Sequence, residues 1–483
     1  MMESVTPDRP KHSHAMLAPD IETSCLIVGA GPAGLGPLVA AATSDKLQAL
    51  LKAGITIVEA GLVAGCGEIG RYAISSDSAA EAFLDALSGT EYPQLVRLKD
   101  HHLAAAIRGR IGQAIPLKQA AQFLQLVGES ICGMVKESRR GHVFMQHRVL
   151  YTRRTNDGGW ITTVRDEQQG TLRQIRSKSV IVATGAEQPL SRLYSEEVAG
   201  QALLPKYAGK VLQSGYALTA GGLRQIRREL AAKSDPRVAI VGGSASAGAV
   251  AKALLNDKTR IPFGSNGVTI VHRRPLRIFY PSAADALSDG YTDFEPQDIC
   301  PVSGRVYRLA GFRLESRELM MRVLRVGGRD VEPRVRLQQV VPENTAETAK
   351  ILDDAHIIVA AMGYRPRALT VLDAFGNRIA LQCDTDDMVP MVGGSSNVLS
   401  ASGRAIMGLY GVGLASGFVP RGRFGGEPSF KGQANSLWLW QHDIGEQIAT
   451  AVLHDATAMN VSNRSVVPSS YVEVPREQQE GVA

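Results

Sequence analysis

Glycine spacing constrains this chain before anything else does. Between Ser24 and Leu38 the sequence runs SCLIVGAGPAGLGPL. The apolar run Cys25–Val28 reads as a short buried strand, and Gly29-Ala30-Gly31-Pro32-Ala33-Gly34 opens a helix directly behind it. This G-x-G-x-x-G order seats a dinucleotide. Gly29 permits the tight turn, Gly31 leaves room for a pyrophosphate to approach the backbone, and Gly34 lets helix pack on strand. The phosphates then meet unpaired N–H groups at the positive end of the helix dipole. A second apolar run, Ile55–Val58, ends in Glu59 and Ala60 and sets an acid where it can grip ribose hydroxyls. The gap from Gly34 to Glu59 is long, so an insertion is expected near Ala42–Gln48. The competing reading, a glycine-rich turn between unrelated elements, leaves that order of strand, glycines, helix, strand and acid unexplained.

The pattern recurs in softer form. Val238–Val241 leads into Gly242-Gly-Ser244-Ala-Ser246-Ala247, with serine in place of the central glycine. Serine is still small and can donate a hydrogen bond to phosphate. The following strand, Gly267–Val271, ends in His272-Arg273-Arg274. An acid here would favour a free 2′-hydroxyl, whereas two guanidinium groups suit the 2′-phosphate of NADPH. The alternative is that both arginines decorate a surface turn. Two further strands end alike: Ser179–Val182 runs into Ala183-Thr-Gly185, and Ala355–Ala361 into Met362-Gly363-Tyr364.

Between these landmarks the chain reads more coarsely. Gly61–Gly70 is a loop, and Ser75–Ser78 look like the cap of a helix over Ala79–Leu87. Arg71, Ser76 and Asp77 are candidates to face a cofactor or substrate; alternatively Asp77 and Ser78 are helix caps and nothing more. Pro116–Val135 has helical periodicity, while HVFMQHRVLYTRR and GWITTVRDE alternate as strands around a hairpin turn at Asn156–Gly159. Ala283–Asp298 reads as an acidic surface insertion near the cofactor cleft, and Arg305–Arg336 as strands of a meander. Near the C-terminus, IMGLYGVGLASGF is a strand with a glycine loop. A helix, LWLWQHDIGEQIATAVL, then follows Gln433-Ala-Asn435-Ser436, with Trp438 and Trp440 expected in the core.

Composition narrows the class. A chain of 483 residues holds two or three domains. Its net charge of +6 comes from scattered arginines without the blocks that argue for nucleic acid. No apolar run approaches the ~20 residues of a membrane span. The five cysteines include no C-x-x-C, which excludes a redox dithiol or zinc ribbon of that spacing and favours a reducing cytoplasm. No metal site is expected. His12 and His14 could form a metal tract, but the polar stretch 1–20 reads better as a solvated tail, as does 461–483.

Taken in order, two fingerprints, an A-T-G strand between them and an A-M-G-Y strand after them make the chain resemble the flavin-dependent monooxygenases that carry both FAD and NADPH. That resemblance spans about Cys25 to Leu453. It implies an α/β fold of two Rossmann-like domains, with the NADPH domain (206–355) inserted into the FAD domain (21–205 and 356–460). It assigns Gly29, Gly31, Pro32, Ala33, Gly34, Glu59 and Ala60 to FAD, with Gly185, Gly363 and Tyr364 at the domain crossings. GQANSLWLW stands where the N-hydroxylating branch starts its FAD-contacting helix, which brings in Asn435 and Ser436. Gly242, Ser244, Ser246, Ala247, Arg273 and Arg274 fall to NADPH. The implied reaction passes oxygen from a C4a-hydroperoxide of the reduced flavin to a small molecule, most simply an amine nitrogen, with Asp77 and Gln433 lining the reactive face. Baeyer–Villiger and S-oxygenating enzymes share this fold, but the F-x-G-x-x-x-H segment of the former is here Tyr207-Ala-Gly209-Lys-Val-Leu-Gln213. A quinone or protein-acceptor reductase and a non-catalytic flavin-binding protein remain as alternatives, and self-association is left open.

Overall fold

The computed structural model describes residues 19–256, 261–384 and 389–462. The expectations for the two tails therefore lie largely outside the described residues. Two parallel sheets organise the molecule. The larger begins with β1 (Ile21–Val28), whose Cys25–Val28 are buried on both faces, the mark of a central parallel strand. α1 (Pro32–Thr43) crosses over it, and a second short helix, α2 (Leu47–Ala53), supplies the extra length before β2 (Ile55–Glu59). α3 (Leu117–Glu137) packs its apolar stripe beneath. The expected strand at 142–154 is two strands, β3 (His142–Met145) and β4 (His147–Arg154), broken where Gln146 takes a positive φ of 58°. β4, β5 (Trp160–Asp166) and β6 (Leu172–Val182) form an antiparallel meander. The long β6 then doubles as a parallel neighbour of β1, so the meander and the parallel sheet share one strand.

The smaller sheet is wholly parallel, with β7 (Val211–Gln213), β8 (Val238–Val241), β9 (Val268–His272), β10 (Val335–Gln339) and β11 (Ile357–Ala360) in the order β7-β11-β8-β9-β10. β11 belongs to this sheet, which therefore extends past residue 355. α4 (Ala245–Leu255) follows β8. The expected meander over Arg305–Arg336 is corrected: Leu314–Val323 is a helix, α5. LESRELMMRV consists almost entirely of good helix formers, and it buries Leu319, Met320 and Met321. The chain returns to the larger sheet through Ala405–Gly411, parallel to β6 at Val180–Val182. It ends in α6 (Leu437–Gln441) and α7 (Asp443–Ser462), which pack on α1.

Candidate functional site: two nucleotide seats and the cleft between them

At the end of β1 the glycine turn is dictated by contact. Gly29 has φ +99°, and a Cβ there would lie 2.3 Å from the carbonyl oxygen of Ala183. A Cβ on Gly34 would lie 1.9 Å from the oxygen of Gly29. Gly31 caps α1, Pro32 occupies its first turn, and no side chain accepts the first-turn N–H groups. That bare helix end, with its glycine cradle, fits a pyrophosphate. Glu59 is held beside it: Oε2 accepts from the Ala30 amide and Oε1 from that of Gly61, both at 2.6 Å. Ala60 follows Glu59 on the same edge, and Ala33 lies against the glycine loop at Gly413.

The second turn repeats this construction. Gly242 has φ +137°, and a Cβ on it would meet the carbonyl oxygen of Ala361 at 2.2 Å. Ala183 and Ala361 thus play the same part in the two units, each followed by a left-handed glycine, Gly185 (φ 78°) and Gly363 (φ 88°). Ser244 caps α4 without a side-chain bond, Ser246 is half-buried beside it, and Ala247 is fully buried beneath. The two arginines part company. Arg274 lines the cleft with Gly243–Ser246, whereas Arg273 is 75% exposed and lies 3.9 Å from Glu196. Tyr364 reaches back to the first unit, its hydroxyl 3.4 Å from that of Tyr72.

Where the units meet, a cleft of about 1100 Å³ gathers Asp77, Gln433, Asn435, Ser436 and Tyr364 with Ser244, Ser246 and Arg274. Asn435 accepts the Ala415 amide at 3.0 Å, and Ser436 caps α6 by accepting from Leu439. Asp77 is open to solvent but walled by protein on several sides. Burial pushes its carboxyl up to about 6, against the pull of the Arg313 guanidinium. Neither Asp77 nor Ser78 caps a helix: the first turn begins at Glu81, behind Ala80, with no side-chain cap. Ser76 is buried, bonded to the Ser78 carbonyl and the Ile115 amide. Arg71 pairs with Glu68 on the surface and is not among the cleft-lining residues. Trp440 packs against the core as expected. Trp438 does not: it is 40% exposed on the cleft wall, stacked at a tilt over His442. Two residues apart on α6, the tryptophans lie on opposite sides of the helix, so one faces the opening and the other the core.

Sequence reading missed the cations here. Arg305, Arg308 and Arg313 line the cleft from one side, and Arg423 and Lys431 from another stretch of chain. No motif links these stretches; the signal was their arginine content alone.

Comparison with known proteins agrees with this geometry. Residues 23–293 match the pyridine nucleotide-disulphide oxidoreductase family. A CMP-5'-(3-aminopropyl)phosphonate hydroxylase from Streptomyces rubellomurinus is 33% identical over 438 residues, covering 89% of this chain and 97% of that protein. Among solved structures, the cadaverine monooxygenase DfoA of Erwinia amylovora, bound to FAD, superposes with a TM-score of 0.53 at 13% identity, covering 95% of this chain and all of its own. The ornithine hydroxylase PvdA of Pseudomonas aeruginosa gives 0.50 at 12% identity, over 90% of this chain and all of its own. The chain belongs to the pyridine nucleotide-disulphide oxidoreductase family, and within it is a flavin-dependent monooxygenase that uses FAD and a pyridine nucleotide, NAD(P)H. Its co-substrates are molecular oxygen and a small molecule. All five cysteines are free thiols. No helix among the described residues is long and apolar enough to cross a membrane.

Proposed function

We propose that the chain hydroxylates the primary amine of an aminoalkylphosphonate carried on a nucleotide, R–NH2 + O2 + NADPH + H+ giving R–NHOH + H2O + NADP+. The observation that carries the reading is the cleft itself: Asp77, with Asp298 and Asp443, shares it with a set of arginines where the two nucleotide seats converge. An amine tail suits the acid, and phosphonate and phosphate oxygens suit the arginines. The relative at 33% identity bears the name of such a substrate.

The bound cofactors supply reducing equivalents and activate oxygen; the chain's residues seat, orient and shield. Gly29, Gly31, Gly34 and Glu59 hold the FAD dinucleotide, with Asn435 and Ser436 at its far end. Gly242, Ser244 and Ser246, with Arg274, hold NADPH, and Arg273 serves its outer edge. Above about pH 6 the Asp77 carboxylate accepts a hydrogen bond from the amine and can take its proton, leaving the nitrogen lone pair free. Gln433 orients the same group from the opposite stretch of chain. Five free cysteines support a cytoplasmic setting.

The test is product analysis with CMP-5'-(3-aminopropyl)phosphonate, cadaverine and ornithine under NADPH and air. The expected result is a hydroxylamine from the nucleotide-linked amine, one per NADPH, and little from the other two. NADPH consumption that yields only hydrogen peroxide with all three would contradict the proposal.

A further inference from the structure

One part of the cleft belongs to neither nucleotide seat. Residues 305–313 form a shelf held from both ends and from below. Tyr307 and Leu314 bracket it with φ of 45° and 47°, left-handed values that side chains other than glycine rarely accept. Such strain persists only where the surroundings over-determine it. Here the Tyr307 side chain is 2% exposed, and its hydroxyl lies 2.9 Å from both Asp298 Oδ2 and the Asp293 carbonyl. Underneath, the carboxylate of Glu427, 3% exposed, accepts the amides of Leu309 (2.9 Å) and Ala310 (2.8 Å). Arg308 donates to the Phe424 carbonyl at 2.8 Å, and Gly426 donates to the Cys300 sulfur at 3.2 Å. These bonds weld the shelf, which comes from the smaller unit, to the stretch 423–431 of the larger one.

What this weld achieves is to fix cations against one another. Burial lowers the proton affinity of Arg313, Asp77 opposes that shift, and the like charges of Arg305 and Arg308 add to it. Arg423 and Lys431 add two more on the facing stretch. Arg305, Arg423 and Lys431 form no ion pair among the described residues, and all three are exposed to the cleft. Seven basic side chains line the cleft against three acids, Asp77, Asp298 and Asp443, and such a rigid excess of cations is complementary to an anion from outside. Guanidinium forks match the paired oxygens of phosphate and phosphonate groups.

We propose that Arg305, Arg308, Arg313, Arg423 and Lys431 form a clamp for the phosphate–phosphonate linkage of the substrate, which anchors that end while the amine reaches Asp77. The clamp rests on the proposed substrate class, yet its anion chemistry stands apart from which amine is oxidised. NADPH carries phosphates too, and its seat at Ser244–Ser246 and Arg274 is the competing source of the same chemistry.

Arg305→Ala and Arg423→Ala decide between them, since neither side chain donates a structural hydrogen bond among the described residues. With CMP-5'-(3-aminopropyl)phosphonate as substrate, each variant is expected to raise KM about tenfold, more than it lowers kcat, by loss of a charge-assisted contact. KM for NADPH is expected to stay within about twofold, and Arg305→Lys to restore part of the loss. Calorimetric titration of CMP and of inorganic pyrophosphate into the FAD- and NADP+-loaded protein supplies the second readout. Both should bind the wild type and weaken about tenfold in either alanine variant. If the wild type binds these anions but hydroxylates another amine, the substrate proposal fails and the clamp stands. Unchanged substrate KM and anion binding in both variants, or a rise confined to the NADPH KM, overturns the clamp.

Discussion

Asp77 stands on the wall of the cleft with its carboxyl pushed up to about 6, where it can change charge close to neutral pH. Protein on several sides disfavours the carboxylate, and Arg313 opposite favours it, without cancelling the first effect. If Asp77 serves the amine, kcat/KM rises as pH passes upward through about 6. Asp77→Asn is expected to abolish that rise and to lower kcat/KM by roughly a hundredfold at pH 8. A pH–rate profile of the two proteins checks this. The stability effect has the opposite sign from that of an ordinary structural acid. The folded-state value lies above the usual 3.8, so stability falls as pH rises from about 4 to 6 and the penalty is fully present above that, and the asparagine variant should melt no lower than the wild type at pH 8. A large fall in melting temperature would mark Asp77 as structural.

At the scale of elements, the two βα turns are separable. Gly242→Ala places a Cβ 2.2 Å from the Ala361 oxygen in a conformation that alanine resists, at a cost of about 1–3 kcal/mol in backbone strain. The damage stays in the smaller sheet, so the variant is expected to purify yellow yet lose reduction by NADPH, as read by absorbance under anaerobic mixing. Gly34→Ala, whose Cβ would lie 1.9 Å from the Gly29 oxygen, should instead come out colourless. Glu427 belongs to this scale too, since its carboxylate joins two stretches far apart in the chain. Glu427→Ala orphans the amides of Leu309 and Ala310, an expected loss of about 1–3 kcal/mol. Thermal unfolding should detect it, with a rise in substrate KM larger than the fall in kcat.

Over the whole molecule, what could be read from the sequence was what sterics write locally. Gly29 and Gly34 stand a few residues apart and must be glycine because backbone passes within 2.3 Å of where their Cβ would be. Glu59 ends a strand that announces itself by four buried residues, three of them apolar and all β-branched. The two nucleotide seats were legible for that reason. The clamp was not, because Arg305–Arg313 and Arg423–Lys431 come from two stretches that only the fold brings together. Leu314–Val323 was misread as strand because it was taken together with the mixed charged and apolar residues of Arg305–Arg336; its own LESREL start does not alternate, and three consecutive buried residues, Leu319-Met320-Met321, break a period of two. Trp438 was placed in the core because aromatic residues usually go there, and only the turn of α6 shows that it faces the cleft. A dinucleotide site is a local device, whereas a substrate site at a domain junction is assembled from distant parts.

The account stands most directly on one measurement: anaerobic addition of NADPH to the purified yellow protein with CMP-5'-(3-aminopropyl)phosphonate, then admission of 18O2 and mass analysis. The flavin should bleach, recover its colour on oxygenation, and leave a hydroxylamine carrying a single 18O atom. Flavin that bleaches and recovers while the amine stays unlabelled, with all the label in peroxide, would contradict it.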